Sequence, residues 1–119
     1  MEEIIDVKIT SEDSVAVVTF KAASISDVEG IATASKYIKD FVDENHPIKL
    51  IFDFRGVKFF SSLVLGVLLE IRSKLASYNG EVSISAISPQ LHKVFKITNL
   101  DKIFTFFPDR ESAVRAVSC

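Results

Sequence analysis

The segment Ile48-Lys49-Leu50-Ile51-Phe52-Asp53-Phe54 is almost wholly apolar over the length of one strand. Strands that read as continuous apolar runs are covered on both faces, as in a parallel sheet. Helical periodicity flanks this run on both sides. Upstream, Ile31, Ala34, Ser35, Ile38, Phe41 and Val42 recur at three- and four-residue spacing. Downstream, Ser61-Ser62 open a helical stretch reaching about Tyr78, with Asn79-Gly80 as its stop. A strand between two such segments belongs in the middle of an α/β layer.

The rest of the chain fits around this unit. Ile4–Ile9 reads as a first strand, Ser11-Glu12-Asp13 as a turn, and Val15–Phe20 as a second strand in a hairpin. Lys21–Ser26 is a loop of small residues, after which Ser26 or Asp27 caps a helix ending near Asn45, at His46-Pro47. Arg55–Phe60 is a loop and Glu81–Ala86 a strand. Ser88 caps a short helix with Pro89 at its first position and Leu91, Val94, Phe95 and Ile97 along it. Asn99-Leu100-Asp101 turns into a strand at Ile103–Phe106, and Pro108-Asp109 opens a last helix with Ala113, Val114 and Val117. The order is β-β-α-β-α-β-α-β-α. It predicts an α/β fold: a mixed sheet of four or five strands, about four helices and right-handed crossovers. One domain is expected over residues 1–119. The expected core includes Val17, Phe41, Ile51, Phe52, Leu65, Leu68, Ile71, Ile84 and Phe95.

Composition narrows the function classes. Hydrophobic residues at 48% and charged residues at 25% are globular values. The net charge of −2 leaves no electrostatic footprint for nucleic acid. The bases are dispersed, and Phe104, Phe106 and Phe107 lack an interleaved basic cluster, so they read as core. Residues 1–60 carry 11 acids against 7 bases and residues 61–119 carry 5 against 7, so the halves differ in sign. Cys119 is the sole cysteine and makes no internal disulfide, which suits a reducing cytoplasm. Met1-Glu2-Glu3 is acidic where a secretory leader is basic. The apolar run Leu63–Leu69 is far too short for direct membrane insertion.

Catalytic chemistry finds no constellation. His46 precedes a proline, His92 lies on a short surface helix, and neither stands in metal-binding spacing. HExxH, CxxC, GxGxxG and a Walker loop are all absent, so no metal or cofactor is expected. Cys119, at the terminus, is a poor nucleophile. Asp53 ends the central strand, where open α/β sheets place functional groups. It reads either as such a group, supporting a site, or as a loop-anchoring acceptor.

The unusual stretch is Phe59-Phe60-Ser61-Ser62-Leu63-Val64-Leu65-Gly66-Val67-Leu68-Leu69. A helix packed on one face of a sheet needs a single apolar stripe, yet here the first two turns are apolar all round. That half is either wrapped by other elements or leaves an apolar surface that marks a partner site. The expected docking surface is Phe59, Phe60, Ser61, Ser62, Val64 and Leu65. The two serines are either ordinary caps or an anion-favouring helix terminus.

At these residues the sequence resembles the STAS family, the fold of anti-sigma factor antagonists. That family's pattern is an apolar strand ending in Asp, a Gly-Val loop, then Asp-Ser-Ser-Gly-Leu-Gly opening a helix. The corresponding residues here are Leu50–Asp53, Gly56-Val57 and Ser61-Ser62-Leu63-Val64-Leu65-Gly66. Ser85–Phe95 is similar to the family's strand and Pro-opened helix, and Asn99–Phe104 to its late turn and last strand. Aligned without gaps, the family's Asp falls on Ser61, its first Ser on Ser62, its usual phospho-acceptor on Leu63 and its Gly on Val64. The stressosome-type branch, with a hydroxyl residue followed by apolar ones, matches Ser62-Leu63-Val64 better. Lys21–Ser26 lacks the family's Gly-x-Leu-Asp.

The resemblance implies a non-enzymatic regulator that docks on an anti-sigma factor, in some cases a serine kinase, and frees the sigma factor. Ser62 is then the candidate phospho-acceptor and Ser61 the second candidate. A monomer or weak dimer is expected. Two rival functions stand beside this one. The first is a STAS subunit of a membrane transport or lipid-trafficking complex. The second is a small nucleotide-binding domain or enzyme using Asp53 and the Ser61-Ser62 terminus.

Overall fold

The structure is a computed structural model describing residues 7–12 and 15–118. The expected strand start at Ile4-Ile5-Asp6, the turn residue Asp13 and Cys119 lie outside the described residues. The elements run β1 (Val7–Glu12), β2 (Val15–Phe20), β3 (Ser24–Ile25), α1 (Val28–Asn45), β4 (Lys49–Asp53) and β5 (Phe59–Phe60). They continue with α2 (Ser62–Ala76), β6 (Glu81–Ser85), α3 (Pro89–Ile97), β7 (Thr105–Phe107) and α4 (Arg110–Ser118). A 3₁₀ turn over Leu100–Lys102 joins α3 to β7.

Five strands form one mixed sheet in the order β1-β2-β4-β6-β7. β1 pairs antiparallel with β2, and the other pairs are parallel. The apolar segment is the middle strand, as its composition predicts. Ser11 and Glu12, expected in a turn, extend β1 instead and pair with Ala16 and Val15. Ile48 stays outside β4 and is 52% exposed.

Alternation along each strand sends side chains to both faces, and each face has its own cover. On one face Ala16, Val18, Phe20, Leu50, Phe52 and Ile84 pack with the apolar residues of α1, α2 and α3. On the other, Val15, Val17 and Ile51 meet Ala113 and Val114 of α4. Burial on both sides is why β2 and β4 are mostly apolar, while β6 also buries Ser83 and Ser85. Phe41 and Leu65, expected in the core, are only half-buried, packed against its margin.

Caps fix the helix starts. Asp27 caps α1, its Oδ2 accepting from the Gly30 N–H at 2.7 Å. Ser88 caps α3 through the Leu91 N–H at 3.2 Å. Asp109 accepts from the Ser112 N–H at 2.7 Å, and this bond holds its carboxyl below the usual carboxylate range. After α2, Tyr78 donates its hydroxyl proton to the Pro47 carbonyl at 2.9 Å.

Candidate functional site

Two segments expected to be loops build the approach to α2. Ser24–Ile25 and Phe59–Phe60 form a two-stranded parallel ladder apart from the main sheet. Lys58 and Phe59 donate their N–H groups to the Ala23 carbonyl at 2.8 and 3.2 Å, and Ser61 donates to Ile25 at 3.0 Å. Gly56 adopts φ +82°, which turns the chain from β4 into this ladder at little steric cost. The ladder thus positions the first residues of α2.

Strand alternation then separates the two phenylalanines. Phe60 points inward, meeting Phe54 and Phe95 edge-on with ring centroids at 5.5 and 6.0 Å. Phe59 points outward and is 52% exposed. Helical spacing makes a similar division within α2. Val64, Leu68, Ile71 and Leu75 form the buried stripe, while Ser62, Leu63 and Gly66 face outward. Phe60 and Val64 are therefore core residues, which corrects their expected place on the docking surface. Leu65 is half-buried against the core margin and contributes little free surface.

Beside the exposed Phe59 of β5, two exposed apolar side chains line one groove, Leu63 at 47% and Val28 of α1 at 64%. Val28 and Leu63 went unrecognised as site residues. The signal for Leu63 was available, because a stripe at 64, 68, 71 and 75 leaves position 63 outside it. Val28 and Leu63 stand at one end of a groove of about 740 Å³ between α1 and α2, with Ile31, Ser62, Gly66 and Val67 beside them. Ion pairs cross between the helices toward the other end, Lys39 with Glu70 and Lys74 with Asp43.

Gly66 faces open space, and a Cβ built there meets nothing within 4 Å. A mid-helix glycine disfavours the helix by roughly 0.5–1 kcal/mol relative to alanine. Packing within the chain does not require this one.

The two serines have different surroundings. Ser61 is the N-cap of α2, but its side chain makes no cap bond, and its Oγ is buried without a hydrogen-bond partner. Ser62 is exposed in the first turn, which carries no acid. An anion at Ser62 meets the positive end of the helix dipole with no carboxylate on that turn to oppose it.

Asp53 lies in a separate cleft of about 510 Å³ beyond the ends of β4 and β6, with Arg55, Ala86 and Pro108–Glu111. It is buried, and its Oδ1 accepts from the Arg55 N–H at 3.2 Å and the Ser85 hydroxyl at 3.4 Å. Those bonds anchor the loop after β4. Asp53 and the serines do not share a site. Among the described residues no three His, Cys, Asp or Glu side chains come together to hold a metal ion. No described helix is long and apolar enough to cross a membrane.

Comparison with known proteins bears on this geometry. A STAS-domain containing protein, PA14_20770 of Pseudomonas aeruginosa strain UCBPP-PA14, is 29% identical over 58 residues. That match takes in 49% of this chain and 57% of the relative's own length. Two solved structures superpose over nearly the whole chain. An anti-sigma factor antagonist from Mycobacterium paratuberculosis is 27% identical, with a TM-score of 0.83 over 97% of this chain and 95% of its own. An anti-sigma-factor antagonist (STAS) domain protein from Planctomyces limnophilus is 20% identical, with a TM-score of 0.85 over 96% and 98%. The STAS domain family itself matches residues 6–113, and the chain belongs to that family.

Proposed function

We propose that the chain is a non-catalytic docking domain, an anti-sigma factor antagonist that captures an anti-sigma factor through the outer face of the α2 N-terminus. The observation that carries this is the groove where the exposed Val28 and Leu63 meet Ser62, beside a glycine whose added Cβ would touch nothing in the chain, with Phe59 exposed just before α2. Apolar surface of this kind is stabilised by a partner that covers it. A helix without a side chain at Gly66 admits a partner's backbone at close range. The likeness to the Mycobacterium paratuberculosis antagonist supports the identity of that partner.

Regulation acts at the same place. Where the partner is a serine kinase, phosphate on Ser62 adds roughly −1.5 to −2 charge beside Val28 and Leu63. The helix terminus tolerates the charge, while an apolar partner surface does not. Ser61, with its oxygen buried, is the poorer acceptor. A regulator of sigma factors works beside RNA polymerase, so this reading places the domain in the cytoplasm, as a monomer or weak dimer.

The test is calorimetric titration of the full chain against each purified anti-sigma factor encoded in the same genome. One of them binds the wild type, and both Leu63→Asp and Ser62→Asp weaken that binding at least about tenfold, or 1.4 kcal/mol. Binding to none of them overturns the assignment. Binding that neither substitution affects moves the interface elsewhere.

A further inference from the structure

A second surface stands apart from the α2 terminus. Ile97, at the end of α3, is 76% exposed, the highest value among the large hydrophobic side chains described. Lys93 and Lys96 precede it by four residues and one, on the same exposed side of the helix. The 3₁₀ turn then delivers Lys102 and Ile103, both exposed.

The charges here are left open. Lys36, Lys39, Lys49 and Lys74 each form a salt bridge. Among the described residues Lys93, Lys96 and Lys102 form none within 4.0 Å, nor do Lys8, Lys21, Arg55, Lys58 and Arg72, which lie outside this segment. Asp101, half-buried, is the one acid in the segment 93–103. Three unpaired cations and two exposed isoleucines thus fall within the segment 93–103 of a chain of net charge −2.

The composition selects the occupant. Protein interfaces favour aromatic residues and arginine and are poor in lysine. This patch is mostly lysine and isoleucine, and its most exposed member protrudes from a helix end. Lysines that reach anionic headgroups, with aliphatic side chains entering the interfacial layer, are the chemistry of peripheral lipid contact. We propose that the surface formed by α3 and the 3₁₀ turn is a weak, reversible contact site for an anionic lipid bilayer.

The experiment is co-sedimentation of the full chain at low salt. The vesicles are phosphatidylcholine alone or phosphatidylcholine with about 30% phosphatidylserine, chosen because the attraction needs anionic lipid. The chain pellets with the anionic vesicles only. Near 1 M salt, where the screening length falls to about 3 Å, it is released. The triple variant Lys93→Glu, Lys96→Glu, Lys102→Glu lowers partitioning about a hundredfold, at roughly fivefold per cation. Ile97→Ser lowers it several-fold. Ile97→Ser keeps the wild-type melting temperature, and the triple variant stays folded while losing a few degrees, because Lys96 stands at the C-terminal end of the α3 dipole. Leu63→Asp leaves vesicle binding unchanged, so the outcome is separate from capture of an anti-sigma factor. Equal pelleting on neutral vesicles, no pelleting on anionic ones, or a triple variant that pellets like the wild type overturns the proposal. Binding to soluble polyglutamate without binding to vesicles also overturns it, in favour of an acidic protein segment.

Discussion

Leu63 and Val64 are adjacent in the chain and face different surroundings on α2, Leu63 47% exposed and Val64 3%. One step along a helix turns the side chain by about 100°, so two neighbouring apolar residues serve different purposes.

Acid substitution separates those purposes. Val64→Asp buries an unpaired carboxylate and destabilises the fold by about 4 kcal/mol or more. Leu63→Asp leaves stability within about 0.5 kcal/mol, because the side chain stays in water. Urea melts of the two variants, read beside binding of the anti-sigma factor, check this. Equal destabilisation by both contradicts the orientation of α2.

Gly66→Ala gains helix stability and loses partner affinity. The new methyl group meets nothing in the chain, so stability rises by about 0.5–1 kcal/mol. In the proposed docking mode the same methyl meets the partner. A variant that melts higher and still binds with wild-type affinity shows that no partner backbone comes close at Gly66.

The sheet was legible from its apolar runs. A strand covered on both faces, such as Lys49–Asp53, carries a signal that does not depend on register. The site was less legible because its decisive feature is orientation. In Phe59-Phe60 the sequence has no alternation to read, and the two-residue ladder that turns Phe60 inward is held by backbone bonds to Ala23 and Ile25. In α2 the run Leu63–Leu69 conceals the buried stripe, because Leu65, Val67 and Leu69 flank it as half-buried shoulders. Val28 is separated from Leu63 by more than thirty residues, and only the packing of α1 beside α2 brings them to one groove.

Tyr78 gives the fold an alkaline limit. Burial pushes its hydroxyl above the ordinary value of 10.0, and the Asp43 carboxylate adds to the shift. The folded state thus favours the neutral phenol, whose proton is donated to the Pro47 carbonyl. A raised pKa contributes stability that is complete below the unfolded value near 10 and is lost as pH rises through the folded one. Tyr78→Phe removes the hydrogen bond, costs about 0.5–1.5 kcal/mol at pH 7 and takes away this part of the alkaline decline. Denaturant melts of both proteins at pH 8 and pH 11 measure it. A gap between wild type and variant that stays the same at both pH values contradicts the assignment.

Ser61 and Ser88 occupy the same position on two helices and are expected to respond differently to alanine. Ser88 accepts from the Leu91 N–H, so Ser88→Ala costs about 0.5–2 kcal/mol. Ser61 Oγ is buried and bonds to nothing, so Ser61→Ala removes an unsatisfied polar atom and leaves stability unchanged or higher. The same burial keeps Ser61 from a kinase and leaves Ser62, exposed in the first turn, as the hydroxyl within reach. Mass spectrometry of the protein from its native host, in resting and activated cells, then finds phosphate on Ser62 and none on Ser61. Ser62→Ala keeps partner capture in both conditions, and Ser62→Asp loses it while melting at the wild-type temperature. Phosphate found on Ser61 instead means that the start of α2 opens far enough to expose a buried oxygen, and a stability gain from Ser61→Ala is then lost with it. An unmodified Ser62 in both conditions, together with Ser62→Asp that still binds, removes the switch and leaves the docking surface standing alone.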